Sequence, residues 1–384
     1  MVRTFMPEVL EINDIAALAE LAPAWHRLLA QTRGASFFQT PEWLEVYWKY
    51  SGAGQKLRVL VVRENGEPIG IVPLTVAREK TRLGRLKVLT YPLHDWGSFY
   101  GPIGPDPSRV LQVALEHIAH TRRDWEVLDF RYVAEPNLES LETQHALETA
   151  GYHSTQSFWK ETALVDMTTG WEAYWASRES KVRNNLRRHQ KRINEQGTVE
   201  LVRHRPRSAA EGDGDPRYDL YEQCVEIASR SWQGTSENGT TLSHPSVRDY
   251  FRDTHAVAAR LGCLDMNLLT LNGTPIGFGY NYVYNGTVEG IRIGYDPQYS
   301  KSGAGNVLYL MMFQDSCTRG DRLFDMGIGS LEIKRFWWTH TAKSYRYTHY
   351  PLTAPRAQLL RLKHWLFGSN IRTEVPLSEV QIAG

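Results

Sequence analysis

From Ile293 to Asn306 the chain passes from a strand-like end, Ile293-Gly294-Tyr295, through a small-residue hinge into the start of an apolar helix. A helix N-terminus exposes unpaired N–H groups and the positive end of a dipole. Glycines in front of it let an anion reach those groups without meeting a Cβ. Ser302, Gly303, Ala304, Gly305 and Asn306 are therefore a candidate phosphate cradle, although a plain glycine turn has the same composition. A Walker loop needs Lys-Ser/Thr where Asn306-Val307 stands, and that reading fails. A dinucleotide fingerprint is weakened by Leu308 at the third glycine position and by the interval Asp296–Ser302, although Asp325 falls at about the 20-residue distance of the ribose-binding acid.

A third phosphate loop, Gln/Arg-x-x-Gly-x-Gly/Ala between strand and helix, serves acyl-CoA-dependent transferases. Ser300-Lys301-Ser302-Gly303-Ala304-Gly305 fits its glycines, with Ser300 in place of the long polar residue. A second anion-binding candidate is Ser177–Gly197, where Arg178, Lys181, Arg183, Arg187, Arg188, Lys191 and Arg192 face only Glu179 and Glu195. Such a run is either a solvated helix face or a clamp for the phosphates of a nucleotide, a carrier arm or tRNA. Other chemistries lack their residues. There is no Gly-x-Ser-x-Gly elbow. The 13 histidines show no metal spacing, and Cys224, Cys263 and Cys317 lie in no nucleophile motif. His94-Asp95-Trp96 reads as a loop able to line an acceptor site.

These residues need elements to position them. Val288–Ile293 reads as a strand, and Asn306–Cys317 as a buried helix stopped at Gly320 with Arg319 in its last turn. The same order occurs twice. Residues 57–75 and 265–283 each read strand, turn, strand, and their turns align as Asn65-Gly66-Glu67-Pro68-Ile69-Gly70 and Asn272-Gly273-Thr274-Pro275-Ile276-Gly277. Each hairpin is followed by a Gly/Pro segment, a helix, and a short strand holding Asp129 or Asp325. This predicts two copies of one α/β unit. Only the second has glycines at its helix entrance; the first has Asp106-Pro107-Ser108, an N-cap with proline at the first helical position. The expected division is 1–165, a basic linking helix over 166–200 with Val182, Leu186 and Ile193 as its apolar stripe, and 201–384. Ser208–Asp219 reads as a flexible loop. Leu359–Phe367 reads as a basic amphipathic docking helix rather than a membrane anchor.

The 384 residues exceed one ordinary core, and the net charge of +1 makes no global case for nucleic acid. Three cysteines without a C-x-x-C pair argue for a reducing compartment. The acidic residues near the start do not suit a signal peptide, and no stretch approaches the roughly 18 apolar residues of a membrane span. A cytoplasmic protein that is not integral to a membrane is expected.

The C-terminal half resembles the GNAT superfamily, and more closely the two-domain branch of the CelD/BcsL-type acetyltransferases and the FemAB peptidyltransferases. The matching stretches are Ser231-Trp232-Gln233-Gly234, Gly239-Thr240, the hairpin Leu268–Val283, and Gly294-Tyr295-Asp296-Pro297-Gln298-Tyr299. They continue with Ser302-Gly303-Ala304-Gly305, Phe324-Asp325-Met326-Gly327, and Gly329 with Lys334 and Trp337. Ile333 stands where an aromatic often precedes the lysine. The resemblance implies tandem GNAT-like domains with mixed α/β (α+β) sheets and an acyltransferase. By the same resemblance the donor would be acyl-CoA, or else a carrier-protein thioester or an aminoacyl-tRNA, with no metal. The acceptor is an amine, such as an amino sugar or an envelope or polysaccharide precursor. It implies backbone N–H groups at Ile293–Gly294 for the oxyanion and Glu289 or Asp325 as base. Tyr295 or Tyr299 would protonate the leaving group, and Lys334 would hold a donor phosphate or an acceptor carboxylate. Trp232, His94, Asp95 and Trp337 would contact the acceptor, while Arg187, Arg188, Lys191 and Arg192 would meet a carrier protein or tRNA. A non-catalytic scaffold with this fold is the alternative from another class.

Overall fold

A computed structural model of the chain describes residues 7–81, 84–134, 141–236, 239 and 241–367. Thr240, one of the matching residues above, lies outside them. The strands are β1 (Glu8–Ile12), β2 (Lys56–Glu64), β3 (Glu67–Thr81), β4 (Gly84–Thr90), β5 (Val127–Ala134) and β6 (Thr155–Asp166). They continue with β7 (Val199–His204), β8 (Leu264–Leu271), β9 (Thr274–Tyr284), β10 (Thr287–Tyr295), β11 (Leu323–Ile328) and β12 (His340–His349).

The repeat is physical. Asn65 and Gly66 have φ 54° and 84°, and Asn272 and Gly273 have 50° and 79°. Both turns thus take the left-handed backbone that asparagine and glycine tolerate in tight hairpins. Both hairpins also carry a bulge at the same spacing. Arg63 faces Pro68 while Val62 faces Gly70, and Thr270 faces Pro275 while Leu269 faces Gly277. Proline has no N–H for the ladder, and the bulge accommodates it.

Two units follow, residues 1–160 with 343–384 and residues 161–342. These bounds differ from the expected ones in two ways. The chain beyond residue 342 returns to the first unit, where Ser344–His349 of β12 pairs with β5. The basic helix, Ser180–Asn194, is part of the second unit rather than a linker. Its Val182, Leu186 and Ile193 are buried against Ala304, Val307, Leu308 and Phe313 of the helix Ala304–Arg319 and the sheet residues Val165, Val288 and Phe324. In the first unit the order is β1-β2-β3-β4-β5-β12, and in the second β6-β11-β10-β9-β8-β7.

Ser208–Asp219 is a built turn rather than a flexible loop. The Glu211 carboxylate accepts from Ser208 N and Oγ, and that of Asp213 from Arg207 N. The acidic residues that made the stretch look loop-like thus take up its backbone N–H groups. The helix Tyr218–Arg230 starts before the segment ends. No helix of the described residues is long and apolar enough to cross a membrane.

Candidate active site

The second unit opens where β10 and β11 part. The two parallel strands pair only at Thr287/Leu323, Val288/Phe324 and Glu289/Asp325. Gly290 and Gly327 then pass backbone to backbone, so that a Cβ on Gly327 would lie 2.6 Å from the Gly290 carbonyl oxygen. Past this point β10 bulges between Gly290 and Arg292 and continues with only β9 beside it. Its far edge therefore faces a gap.

Register settles which backbone groups line that gap. Gly294 pairs with Phe278, and Asp296 N donates to Ile276 O, which puts the Gly294 amide on the β9 side. A strand residue turns its N–H and C=O to one edge, so Ile293 turns both to the gap. The Ile293 carbonyl accepts from Trp232 Nε1 at 3.3 Å and Gln233 Nε2 at 3.2 Å. Buried Gln233, a residue of the matching stretch to which the sequence assigned no role, takes Leu242 N on its side-chain oxygen at 3.0 Å. Trp232 is largely exposed above the strand, as a cleft wall would be.

Glu289 and Asp325 are register partners on parallel strands and share a face of the sheet. Asp325 is buried; its Oδ1 accepts from Thr162 Oγ1 and, at 2.8 Å, from Gly327 N. The Lys334 ammonium donates to the Gly327 carbonyl. Burial pushes Lys334 down to about 8, against the pull of the Asp325 charge. The gap therefore begins at a carboxylate and a lysine that titrates near neutrality.

The other candidates fall elsewhere. Tyr295 lies on the opposite face, its ring over Gly305 and against the core, away from Glu289, Asp325 and Lys334. Tyr299 also packs against that core. Trp337 is no cleft wall. It is buried, edge-on to Phe313, and its carbonyl accepts from Tyr174 Oη at 2.7 Å. His94 and Asp95 belong to the first unit. His94 has φ 50° and is held low by burial, and Asp95 accepts from the Tyr132 hydroxyl.

The small residues of the hinge have neighbours within the protein. Gly303 has φ 79°, and a Cβ there would meet the His189 ring at 2.4 Å; one on Gly305 would meet Tyr295 at 2.7 Å. Ala304 is fully buried. Asn306 Nδ2 lies 3.2 Å from His189 Nδ1, and Gln196 Nε2 donates to Ser302 Oγ at 2.6 Å. Packing of the His189 ring at Gly303 and of the Tyr295 ring at Gly305 thus accounts for the glycines without a phosphate. The N–H groups of Ala304 and Gly305, in the helix's first turn, lack the partners that a helix interior would supply. The signal for His189 was present, because it continues the buried stripe Val182, Leu186, Ile193 at helical spacing.

On its outer face Arg187, Arg188, Lys191 and Arg192 are exposed. Among the described residues the one carboxylate within ion-pair range of these four is Glu195, 3.9 Å from Lys191. The first unit differs at the matching aspartate. Asp129 accepts from Arg131 at 2.7 Å and from Arg346 at 2.6 and 2.8 Å. Despite burial, which opposes ionisation, these arginines hold its carboxyl down at about 2. Asp129 is locked in a structural ion network, whereas Asp325 meets a lysine of tunable charge.

A family model described as an acetyltransferase (GNAT) domain matches residues 180–335, which span this site. No curated protein matches the sequence. Among solved structures, FemX superposes with TM-score 0.61 at 11% identity, covering 92% of this chain and 99% of its own. The C-terminal DUF2156 domain of a putative lysylphosphatidylglycerol synthetase from Agrobacterium fabrum superposes with TM-score 0.52 at 12% identity, covering 91% and 97%. The chain has a two-domain fold like that of FemX, and its residues 180–335 are similar to the acetyltransferase (GNAT) domain.

Proposed function

We propose that the second unit transfers an acyl group from a thioester or ester donor to an amine acceptor in the gap between β10 and β11. The observation that carries the reading is the parting of the strands at Gly290 and Gly327, with Lys334 and Asp325 at its start. An acceptor nitrogen attacks the donor carbonyl, forming a C–N bond while the bond to the leaving thiolate or alkoxide breaks. The Ile293 N–H and the Lys334 ammonium would oppose the negative charge that develops on the carbonyl oxygen. Asp325 or Glu289 would take the proton lost by the amine, directly or through water.

Acyl-CoA is the first donor to test, its pyrophosphate over the N–H groups of Ala304 and Gly305. One observation favours a second reading, an aminoacyl-tRNA donor: the exposed face of Arg187, Arg188, Lys191 and Arg192 is almost free of counter-charges. An amino sugar or envelope precursor as acceptor rests on family analogy. A transfer assay with labelled acetyl-CoA and labelled aminoacyl-tRNA, run against an amine panel, tests the proposal. Transfer from either donor, lost in Lys334→Met, supports it. No transfer from either overturns it in favour of a scaffold.

A further inference from the structure

Four of the large apolar side chains that stand most open to solvent fall close together in the chain: Leu352 (83% exposed), Leu359 (57%), Leu362 (50%) and Trp365 (78%). The last three belong to the helix Pro355–Phe367 of the first unit. That helix is already docked by another face. Ala357, with Ala354 just before the helix, is buried against Leu86, Val88 and Val127, and Leu360 packs on the same cluster. The helix is therefore held in place while presenting a second apolar stripe outward.

At the helical repeat, Leu359, Leu362 and Trp365 fall within about 120° of one another, with Lys363 on one border and Arg361 on the other. Neither cation has an ion pair or hydrogen bond among the described residues. Arg356, by contrast, is committed to Glu126 at 3.3 Å and to the Arg85 carbonyl at 2.5 Å. No acidic residue occurs from Pro351 to Phe367. An apolar stripe with a tryptophan, bordered on both sides by unpaired cations, matches a surface that is apolar beneath and anionic at its rim. A second copy meeting this face would set cations against cations. We propose that this helix lies on an anionic phospholipid surface, with Leu359, Leu362 and Trp365 inserted at headgroup depth and Arg361 and Lys363 on the lipid phosphates. The proposal does not depend on the acyl-transfer reading.

The test is co-sedimentation of the full chain with phosphatidylcholine vesicles, with and without phosphatidylglycerol. The chain is expected to sediment only with the anionic vesicles. Arg361→Gln with Lys363→Gln should weaken this about 25-fold, at about fivefold per cation. Leu359→Ser, Leu362→Ser and Trp365→Ser together should weaken it at least about tenfold. All five side chains are at least partly open to solvent, so the melting temperatures of both variants should match the parent; this separates lost docking from lost fold. Equal sedimentation with both vesicle types, or none, overturns the proposal. So does a concentration-dependent dimer in light scattering that the triple serine variant abolishes, which would assign the stripe to a second copy.

Discussion

Lys334→Met removes a charge whose state the fold alters near neutral pH, and its effect can be worked through from the structure. Burial lowers the lysine from 10.5 to about 8. At about 1.36 kcal/mol per pH unit, the buried ammonium costs the fold roughly 3 kcal/mol. Methionine has nearly the same shape and no charge, but it abandons the bond to the Gly327 carbonyl. A hydrogen bond to a charged group contributes about 1.5–3 kcal/mol, so the variant should be more stable by about 1 kcal/mol at pH 7. That raises its melting temperature by about 2–4 °C. The pH dependence has a definite sign. Below pH 8 both folded and unfolded chains carry the proton, and the cost is fully present. Between 8 and 10.5 only the unfolded chain keeps it, so parent stability climbs with pH; above 10.5 the difference vanishes. The assay is urea denaturation of both proteins from pH 7 to 10.5, with the variant subtracted so that other groups cancel. A variant less stable at pH 7, with a difference that stays flat to pH 10.5, would refute a charged, desolvated Lys334.

Gly303→Ala should cost about 2–3 kcal/mol in thermal denaturation, from a left-handed backbone and the collision with His189. His189→Ala should relieve part of that cost, so strict additivity in the double mutant would contradict the packing account of the hinge. Asp129→Asn should cost about 3–5 kcal/mol, because Arg346 loses its buried counter-charge and Arg131 keeps only Glu79. It should also remove this group's share of the parent's acid sensitivity, a contribution present above pH 3.8 and lost as pH falls toward 2. Changing Arg187, Arg188, Lys191 and Arg192 to Gln should leave stability within about 0.5 kcal/mol. If tRNA is the donor, its binding should weaken and the slope of log K on log salt should fall by about 3, whereas an unchanged slope would leave acyl-CoA as the donor.

Much of this organisation could be read from the residues. The paired Asn-Gly turns, each with proline and glycine at the same offsets, carry local backbone chemistry, and the duplicated hairpins with their bulges follow directly. Val182, Leu186 and Ile193 announce a buried helix face by spacing alone. The hinge was legible only in part. A glycine records that something is close but not what it is; here it is a histidine, whose neighbouring contact with Asn306 spans 117 positions. The same limit hid Thr162, which reaches Asp325 from β6. The burial of Trp337 depends on Phe313 and Tyr309 in another helix, so its type and spacing suited a cleft wall equally well. Lys334 was identifiable as a motif residue, but its lowered proton affinity comes from tertiary burial.

The central claim is that acyl transfer occurs in the gap of the second unit, with charged Lys334 opposing the oxyanion. Single-turnover transfer to an amine acceptor, measured against pH in the parent and in Lys334→Met, tests it most directly. The account predicts a parent rate that falls as pH rises through about 8, the value at which Lys334 loses its proton. It predicts a variant slower by about 100- to 1000-fold that lacks this fall. A variant that transfers at the parent rate with the same pH profile would contradict it.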